Sequence, residues 1–281
     1  MLPEICYHRV TLIDRALALL KEHGPDAAIL AGGTDLIIGL QDGTTCARHL
    51  IDIKTIPGFD EISVSDSGEL VIGACVTING FLEAGVPSGM EALTEAAGVL
   101  ATNQLRNRAT VAGNVCNASP ACDLGPPLLV LDGLVRAVSP AGERSIPLKD
   151  FFSGVKCTCC GADEIVTHIL VPASGDARVS AFRKRQRLKG HDLAVVNAAA
   201  SYSRAAGLKV AVGAVAETPV LIGGLDGAGP DDRVKVLETV MNSISPISDV
   251  RGSREYRLKM AEFLVGELLD ELSGKIKQGG A

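Results

Sequence analysis

A run of small and short polar side chains between Thr110 and Asp123 has the composition of a segment that binds a polar ligand. Residues without bulky side chains, such as Gly113, let the backbone lie close to a ligand, and the amides of Asn114 and Asn117 can hydrogen-bond to it. The same residue types are also common in turns. This segment, called the asparagine loop below, therefore allows two interpretations, a binding loop and a plain connection.

A second candidate lies nearer the N-terminus, where an apolar run from Ala27 to Ala31 leads into Gly32-Gly33-Thr34-Asp35. Because glycine lacks a Cβ atom, a strand followed by two glycines can bring backbone N–H groups up to a phosphate. Paired glycines also end strands for structural reasons alone. The segment 31–35, called the glycine loop below, is not a G-x-G-x-x-G turn and no Gly-Lys-Ser/Thr follows it, which disfavours a nicotinamide or ATP fold.

Cysteine, histidine and basic residues are the other candidates for chemistry. Eight cysteines in 281 residues do not indicate a secreted disulfide scaffold, so we expect reduced thiols. Cys157, Cys159 and Cys160 do not have the two-residue gap of common metal sites, so structural cysteines are favoured and no metal site is predicted. The five histidines are scattered. A basic run over 178–189 is typical of a solvated strand face, with a cofactor or an acidic partner as the alternative.

Composition limits the possible functions. The net charge is -6 and the pI is about 5.4, with no block of like charges, so nothing indicates a nucleic-acid partner. The N-terminus lacks the order of a signal peptide, and no run of about 18 apolar residues indicates membrane insertion. The motifs supply no pair of nucleophile and base and no paired carboxylates, so no catalytic residue is predicted. We expect a cytoplasmic protein.

The elements that must position these loops form three predicted units. Residues 1–58 contain a helix capped by Thr11 and strands on either side of the glycine loop. Residues 59–173 contain several strands, a short helix capped by Thr77 and a longer helix over 89–101. Residues 174–281 contain apolar strands followed by two helices, which is the order of an α+β domain.

Two loops of small residues in adjoining units suit a long dinucleotide that lies between them. With both loops in view, the sequence resembles the FAD-binding, or medium, subunits of the molybdenum hydroxylases, the family that includes xanthine dehydrogenase and aerobic carbon monoxide dehydrogenase. The resemblance extends over nearly the whole chain. It rests on five motifs in order: Ala31 to Asp35, Gln104 to Asn114 (QLRNRATVAGN), Asn117 to Pro120 with Asp123, Pro147 to Phe152 (PLKDFF), and Phe182-Arg183-Lys184 followed by Asp192.

This resemblance implies a fold and a set of cofactor-binding residues. The fold is a two-subdomain FAD-binding module of the vanillyl-alcohol-oxidase type, followed by a C-terminal α+β domain of antiparallel sheet plus helices. The implied FAD-binding residues are Ile29, Leu30, Ala31, Gly32, Gly33, Thr34 and Asp35 in the first pyrophosphate loop; Thr110, Gly113 and Asn114 in the second; Asn117 and Asp123 at the ribityl and phosphate portion; Ile165 and Val166 at the adenine or ring end; and Lys184 near the cofactor.

The resemblance also implies an activity and partners. Such an oxidoreductase subunit passes electrons from 2Fe–2S centres through FAD to NAD+ or another acceptor, in a heterotrimer with a molybdopterin-containing large subunit and a 2Fe–2S small subunit. Two positions depart from the family: Ala112, where glycine is frequent, and Leu193, where some members have an aromatic residue. A free-standing FAD oxidase and a flavin-free assembly scaffold are the alternatives. The substrate of the whole enzyme is determined by another chain.

Overall fold

The computed structural model describes residues 4–188 and 191–279, which fold into three structural units. The first unit is a three-stranded parallel sheet in the order β1–β3–β2, with α1 packed against it. The helix buries Ala16, Leu17 and Leu20, which share one side of it. Its elements are β1 (Cys6–Arg9), α1 (Ile13–His23), β2 (Ala27–Leu30), α2 (Leu36–Asp42) and β3 (His49–Asp52).

The second unit is a five-stranded antiparallel sheet in the order β4–β5–β10–β6–β7, with short helices between its strands in sequence. The central strand β10 is the last of these five strands along the chain and packs against α6 of the asparagine loop. The elements are β4 (Ile62–Val64), β5 (Leu70–Gly73), α3 (Ile78–Ala84), α4 (Glu91–Gly98), α5 (Asn103–Arg106), α6 (Val111–Cys116), α7 (Gly125–Val130), β6 (Leu134–Ser139), β7 (Gly142–Pro147), α8 (Leu148–Phe151), β8 (Phe152–Gly154), β9 (Cys157–Thr158) and β10 (Ile165–Val171).

The third unit is a four-stranded antiparallel sheet in the order β11–β12–β13–β14, covered by two helices. Strand β12 is buried on both faces. Its successive side chains point to opposite sides of the sheet, and each side is covered by a different core. Ala199 lies in the core shared with the second unit, whereas Ala198 and Ala200 lie in the core under the helices. The elements are β11 (Arg178–Arg185), β12 (Val196–Ser203), β13 (Gly207–Gly213), β14 (Val220–Leu221), α9 (Arg233–Ser243) and α10 (Arg254–Lys277).

Contacts between the second and third units hold the sheet of the third unit beside the asparagine loop. The buried Ser180 hydroxyl of β11 accepts the backbone N–H of Ala92 at 3.0 Å, and the Glu95 carboxylate of α4 accepts the N–H of Phe182 at 2.7 Å. Helix α7, which follows the asparagine loop, packs against β12 and β13. The two units therefore pack together through α4 and α7.

The α+β prediction is confirmed, and so is the cap of α3, where Thr77 Oγ1 accepts the N–H of Gly80 at 3.0 Å. The predicted Thr11 cap is wrong: α1 begins at Ile13, and no side chain caps it. The helix predicted over 89–101 is shorter than expected, since α4 ends at Gly98 and Ala101 has a left-handed φ of 48° that a helix does not allow. No described helix is long and apolar enough to cross a bilayer.

Candidate functional site

The glycine loop leaves its backbone donors open. It follows the end of β2, and α2 begins directly after it at Leu36. Gly33 has a φ of 77°, a left-handed conformation that favours glycine. Within the described chain, the backbone N–H groups of residues 32–35 donate to no protein acceptor. The loop is only partly buried, so these four donors can serve an anionic ligand.

The asparagine loop lies directly against the glycine loop. The backbones meet where the chain before the asparagine loop passes Gly32: a Cβ atom at Gly32 would overlap the carbonyl oxygen of Arg108. A side-chain link follows, because the Asn117 amide donates to the Asp35 carboxylate at 2.8 Å. The two loops that the sequence places about 80 residues apart therefore form one surface.

Lys156 strengthens this link and was missed by the sequence analysis. Its Nζ donates to Asn117 Oδ1 at 2.6 Å and lies 3.9 Å from Asp35 Oδ1. Its backbone has a φ of 58° and its N–H donates to the Ala118 carbonyl at 2.9 Å, so the turn before β9 is fastened to the asparagine loop. An isolated lysine in a turn carries no sequence motif. Only the folded chain brings this positive charge to the site.

Inside the asparagine loop, polar side chains hold the loop itself together. Thr110 caps α6 by accepting the N–H of Gly113 at 2.9 Å. Asn114 Oδ1 accepts the Cys122 thiol at 2.9 Å and the N–H of Leu124 at 3.3 Å. These groups satisfy backbone and thiol donors that would otherwise lack partners. The predicted binding roles of Thr110 and Asn114 thus compete with structural ones.

Ala112, the first departure from the family, lies within α6 with an ordinary right-handed backbone. Its methyl group is buried in the main core, with 3% of the residue exposed. A glycine is therefore not required for conformation at this position.

Asp123 and Lys184 form a buried ion pair rather than two exposed groups. Lys184 Nζ lies 2.6 Å from Asp123 Oδ2, and the two side chains are only 3% and 7% exposed. Asn197 Nδ2 donates to Asp123 Oδ1 at 3.0 Å and to the Cys122 carbonyl at 3.2 Å. Burial raises the pKa of the Asp123 carboxyl, and Lys184 and Asn197 oppose that shift. The pair ties β11 to the end of the asparagine loop.

The remaining predicted residues differ in their exposure. Ile29 and Leu30 are half-buried in β2, beneath the glycine loop. Ile165 begins β10 and is buried in the main core with 1% exposed, whereas its neighbour Val166 is half-buried. Strand β10 packs against α6, so both residues lie in the layer that supports the asparagine loop. The structure thus joins Ala31–Asp35 and Asn117 at one surface and gives Ile165 a core position.

The cysteines occupy varied environments. Cys157 is exposed, and Cys159 and Cys160 are half-buried. Among the described residues, no cysteine belongs to a group of three potential ligands within coordination range of one another. Cys122 is buried beside the asparagine loop, and burial raises the pKa of its thiol to about 12, so it remains protonated at neutral pH. The basic run has partners where it is described, such as Arg187 with Asp192 at 3.3 Å; Lys189 lies outside the described residues.

Two adjoining α/β units present the glycine loop and the asparagine loop to one surface, and an α+β domain is fastened to the second unit, an arrangement typical of two-subdomain nucleotide-binding modules. Residues 3–174 match the family described as the FAD binding domain in molybdopterin dehydrogenase. Residues 180–272 match the CO dehydrogenase flavoprotein C-terminal domain. The chain therefore belongs to the family of FAD-binding components of molybdopterin dehydrogenases, and its cofactor is FAD.

Known relatives match this chain over nearly its whole length. The xanthine dehydrogenase FAD-binding subunit of Escherichia coli O157:H7 is 29% identical, over 94% of this chain and 94% of its own length. The carbon monoxide dehydrogenase medium chain of Afipia carboxidovorans is 30% identical, over 96% and 97%. A solved structure of carbon monoxide dehydrogenase from Hydrogenophaga pseudoflava superposes with a TM-score of 0.91 at 27% identity, covering 98% of this chain and 99% of that one. The family resemblance and the FAD cofactor predicted from the motifs are confirmed.

The residues present fit FAD. The left-handed Gly33 and the four open N–H groups of residues 32–35 supply donors that a pyrophosphate can accept. The neighbouring Lys156 adds a positive charge that favours an anionic group. These groups lie at the junction of two units, where extended ligands commonly bind.

Proposed function

We propose that this chain is the electron-transferring FAD subunit of a molybdenum hydroxylase, in complex with a molybdopterin-containing large subunit and a 2Fe–2S small subunit. Electrons from the 2Fe–2S centres would pass through FAD to NAD+ or another acceptor. The names of the relatives, which include carbon monoxide dehydrogenase medium chains, support the assembly. The observation that carries the proposal is the glycine loop, whose open N–H groups face no protein acceptor in the described chain.

In this proposal the chain divides into FAD-binding subdomains over 1–58 and 59–173 and a C-terminal domain over 174–281. The N–H groups of the glycine loop bind the pyrophosphate, with Ile29 and Leu30 supporting the loop from β2. Gly113 and the rest of the asparagine loop approach the cofactor from the second subdomain. Ile165 and Val166 support that loop from β10.

Lys184 acts in this proposal through its position. The Asp123 carboxylate, 2.6 Å from its Nζ, holds the side chain in place, so Lys184 positions β11 and the end of the asparagine loop beside the cofactor. Bound FAD supplies the redox chemistry, since it takes up electrons one at a time and releases them as a pair. The protein holds the cofactor in place, and the proposal gives no side chain a role in proton transfer.

A matched pair of glycine variants tests the loop assignment. Gly33 and Gly43 have φ values of 77° and 71°, both in the first unit, but only Gly33 lies in the glycine loop. Alanine costs about 1–2 kcal/mol at either position because of the left-handed conformation. At Gly33 the added methyl group would also lie 2.9 Å from Leu30 Cδ1, the end of a flexible side chain, whereas the space around Gly43 is open. We expect Gly33→Ala to lose FAD and Gly43→Ala to keep it, measured by the visible spectrum of the purified subunit. Equal FAD content in the two variants would refute the assignment.

Gly113 needs a different interpretation from Gly33. A Cβ atom at Gly113 would lie 2.7 Å from Thr110 Oγ1, the hydroxyl that caps α6. A bulky residue there therefore disrupts the cap first, and any loss of FAD follows from the displaced loop. Circular dichroism of the Gly113→Val variant, compared with its FAD content, separates the two effects.

The route of the electrons is tested in the assembled complex. With FAD bound, NADH added in the absence of oxygen should bleach the visible flavin absorbance if NAD+ is the acceptor. Bleaching by a reduced 2Fe–2S partner but not by NADH would keep the electron-transfer role and exclude NAD+. Oxidation of an alcohol by the isolated chain would favour the free-standing oxidase. A colourless chain that takes up no added FAD would favour the assembly scaffold.

A further inference from the structure

Three histidines that are far apart in the sequence meet in the first unit. His8 lies in β1, His23 is the last residue of α1, and His49 is the first residue of β3. Each offers one ring nitrogen, and these atoms all lie within 4.8 Å of one another. His8 Nε2 is 2.9 Å from His49 Nδ1. No other part of the described chain brings three potential metal ligands so close together.

Strand register explains the meeting. Strands β1 and β3 are parallel, with Cys6 opposite His49 and His8 opposite Ile51. Side chains two residues apart point to the same face, so His8 and His49 both lie on the face that carries the buried Ile51. Helix α1 packs against β3, and its last residue completes the group. Because the group includes the first residue of β3, it lies at the end of the sheet opposite the glycine loop.

The chemistry of the group is that of a transition-metal site. Imidazole nitrogen is a preferred ligand of Zn²⁺, and three histidines with a fourth position filled by water or a carboxylate make a common Zn²⁺ coordination sphere. A carboxylate is available, since Glu22 Oε1 lies 3.8 Å from His23 Nε2. All three histidines are half-buried, so an ion can reach them from solvent while the sheet and helix hold them in place.

We propose that His8, His23 and His49 form a binding site for one divalent transition-metal ion, best suited to Zn²⁺. The rings of His23 and His49 are stacked, with centroids 3.6 Å apart and planes 13° from parallel. The nitrogen lone pairs of an imidazole lie in the plane of its ring. At least one of the stacked rings must therefore rotate before the nitrogens can point at one metal ion. The bound ion clamps the end of α1 to β1 and β3. This proposal is independent of the FAD function.

The test uses the full chain with FAD bound and without a histidine tag. Isothermal titration with Zn²⁺ should give one ion per chain for the wild type and no comparable binding for His8→Gln or His49→Gln. His191→Gln is the matched control, because His191 is exposed and outside the group. Zn²⁺ should raise the thermal unfolding midpoint of the wild type and of the control, and not that of the two group variants.

A spectroscopic probe identifies the ligands. Co²⁺ bound by imidazoles should show visible d–d absorption without the thiolate charge-transfer bands that exposed cysteines such as Cys6 or Cys157 would produce. Retained FAD confirms that a variant is folded; if His49→Gln fails this check, His23→Gln at the helix end replaces it. Absence of Zn²⁺ binding to the wild type, unchanged binding in the group variants, or thiolate bands with Co²⁺ would each overturn the proposal.

Discussion

The glycine loop and the asparagine loop face each other, yet they use their polar groups differently. In the glycine loop the backbone N–H groups of 32–35 have no protein acceptor in the described chain. In the asparagine loop, Thr110, Asn114 and Asp123 are engaged by Gly113, Leu124 and Lys184. The first loop has free donors for a ligand. The second uses most of its polar groups to hold its own conformation and its contacts with the first loop and the third unit. A segment rich in polar residues is therefore not automatically the one that contacts the cofactor most.

The largest effect should come from breaking the buried end of the asparagine loop. Lys184→Met leaves the Asp123 carboxylate buried without its counter-charge, so we expect a loss of about 3–5 kcal/mol in the free energy of unfolding, measured by urea titration. Adding Asp123→Asn to this variant should recover part of the loss. A double variant no more stable than Lys184→Met would contradict the role of the pair.

An exposed ion pair provides the control for that experiment. Lys209 Nζ lies 2.5 Å from Asp132 Oδ2, but the side chains are 25% and 54% exposed. Solvent screens such a pair, so Lys209→Met should change the free energy of unfolding by about 1 kcal/mol or less.

The next effect concerns the contact between the two loops. Gly32→Ala adds a methyl group that overlaps the Arg108 carbonyl, so the glycine loop must move away from the segment that leads into the asparagine loop. We expect a loss of about 1–3 kcal/mol in stability from overpacking, together with release of FAD. Gly274→Ala is the control, because the space around Gly274 in α10 is open. Full FAD content in Gly32→Ala would show that the loops need not touch.

The third effect is a pH dependence of stability that comes from Asp52, at the end of β3 beside the glycine loop. Asp52 lies opposite Leu30 in the register of β3 and β2. Burial alone would raise the pKa of Asp52, but hydrogen bonds from Lys54 and Tyr7 bring it below its ordinary value. The ionised form therefore favours folding. This contribution is complete above the ordinary aspartate pKa of about 4 and is lost as the pH falls through the lower, folded-state value.

Stability measured by urea unfolding at pH 7 and pH 3 checks this expectation. The wild type should lose more stability between the two pH values than Asp52→Asn, whose side chain does not titrate. The difference should be smaller than the effect of Gly32→Ala, since a single carboxylate is involved. Identical losses for the two proteins would argue that Asp52 does not stabilise the base of the loop.

The smallest effect should come from the exposed link between the loops. Asn117→Ala removes the hydrogen bonds to Asp35 and Lys156, which solvent can replace. We expect a change in stability of about 1 kcal/mol or less, with faster dissociation of FAD, measured by stopped-flow fluorescence. Lys156→Met should also speed the dissociation of FAD, because it removes a hydrogen bond to Asn117 and the positive charge beside the glycine loop. A large loss of stability would show that Asn117 is needed for folding and not only for the contact between the loops.

Much of the fold follows from local patterns. Apolar spacing predicted the longer helices and several strands, but it indicated neither α2 after the glycine loop nor α6 within the asparagine loop. The end of α4 was misjudged because nothing in the composition marks the left-handed Ala101. A turn at Gly33 could be predicted from the sequence, because the preference of glycine for a left-handed backbone depends only on that residue and its neighbours.

The sequence by itself determined the family, the cofactor and the two loops, because these depend on short ordered motifs and on backbone preferences. Only the tertiary structure decided that Asp123 and Lys184 neutralise each other in a buried pair, that Lys156 joins Asp35 and Asn117, and that three scattered histidines meet. Periodicity reports which face of an element is buried, but strand register and helix packing decide which polar groups meet across the chain. A side chain that a partner from a distant segment has already engaged is less available to a ligand.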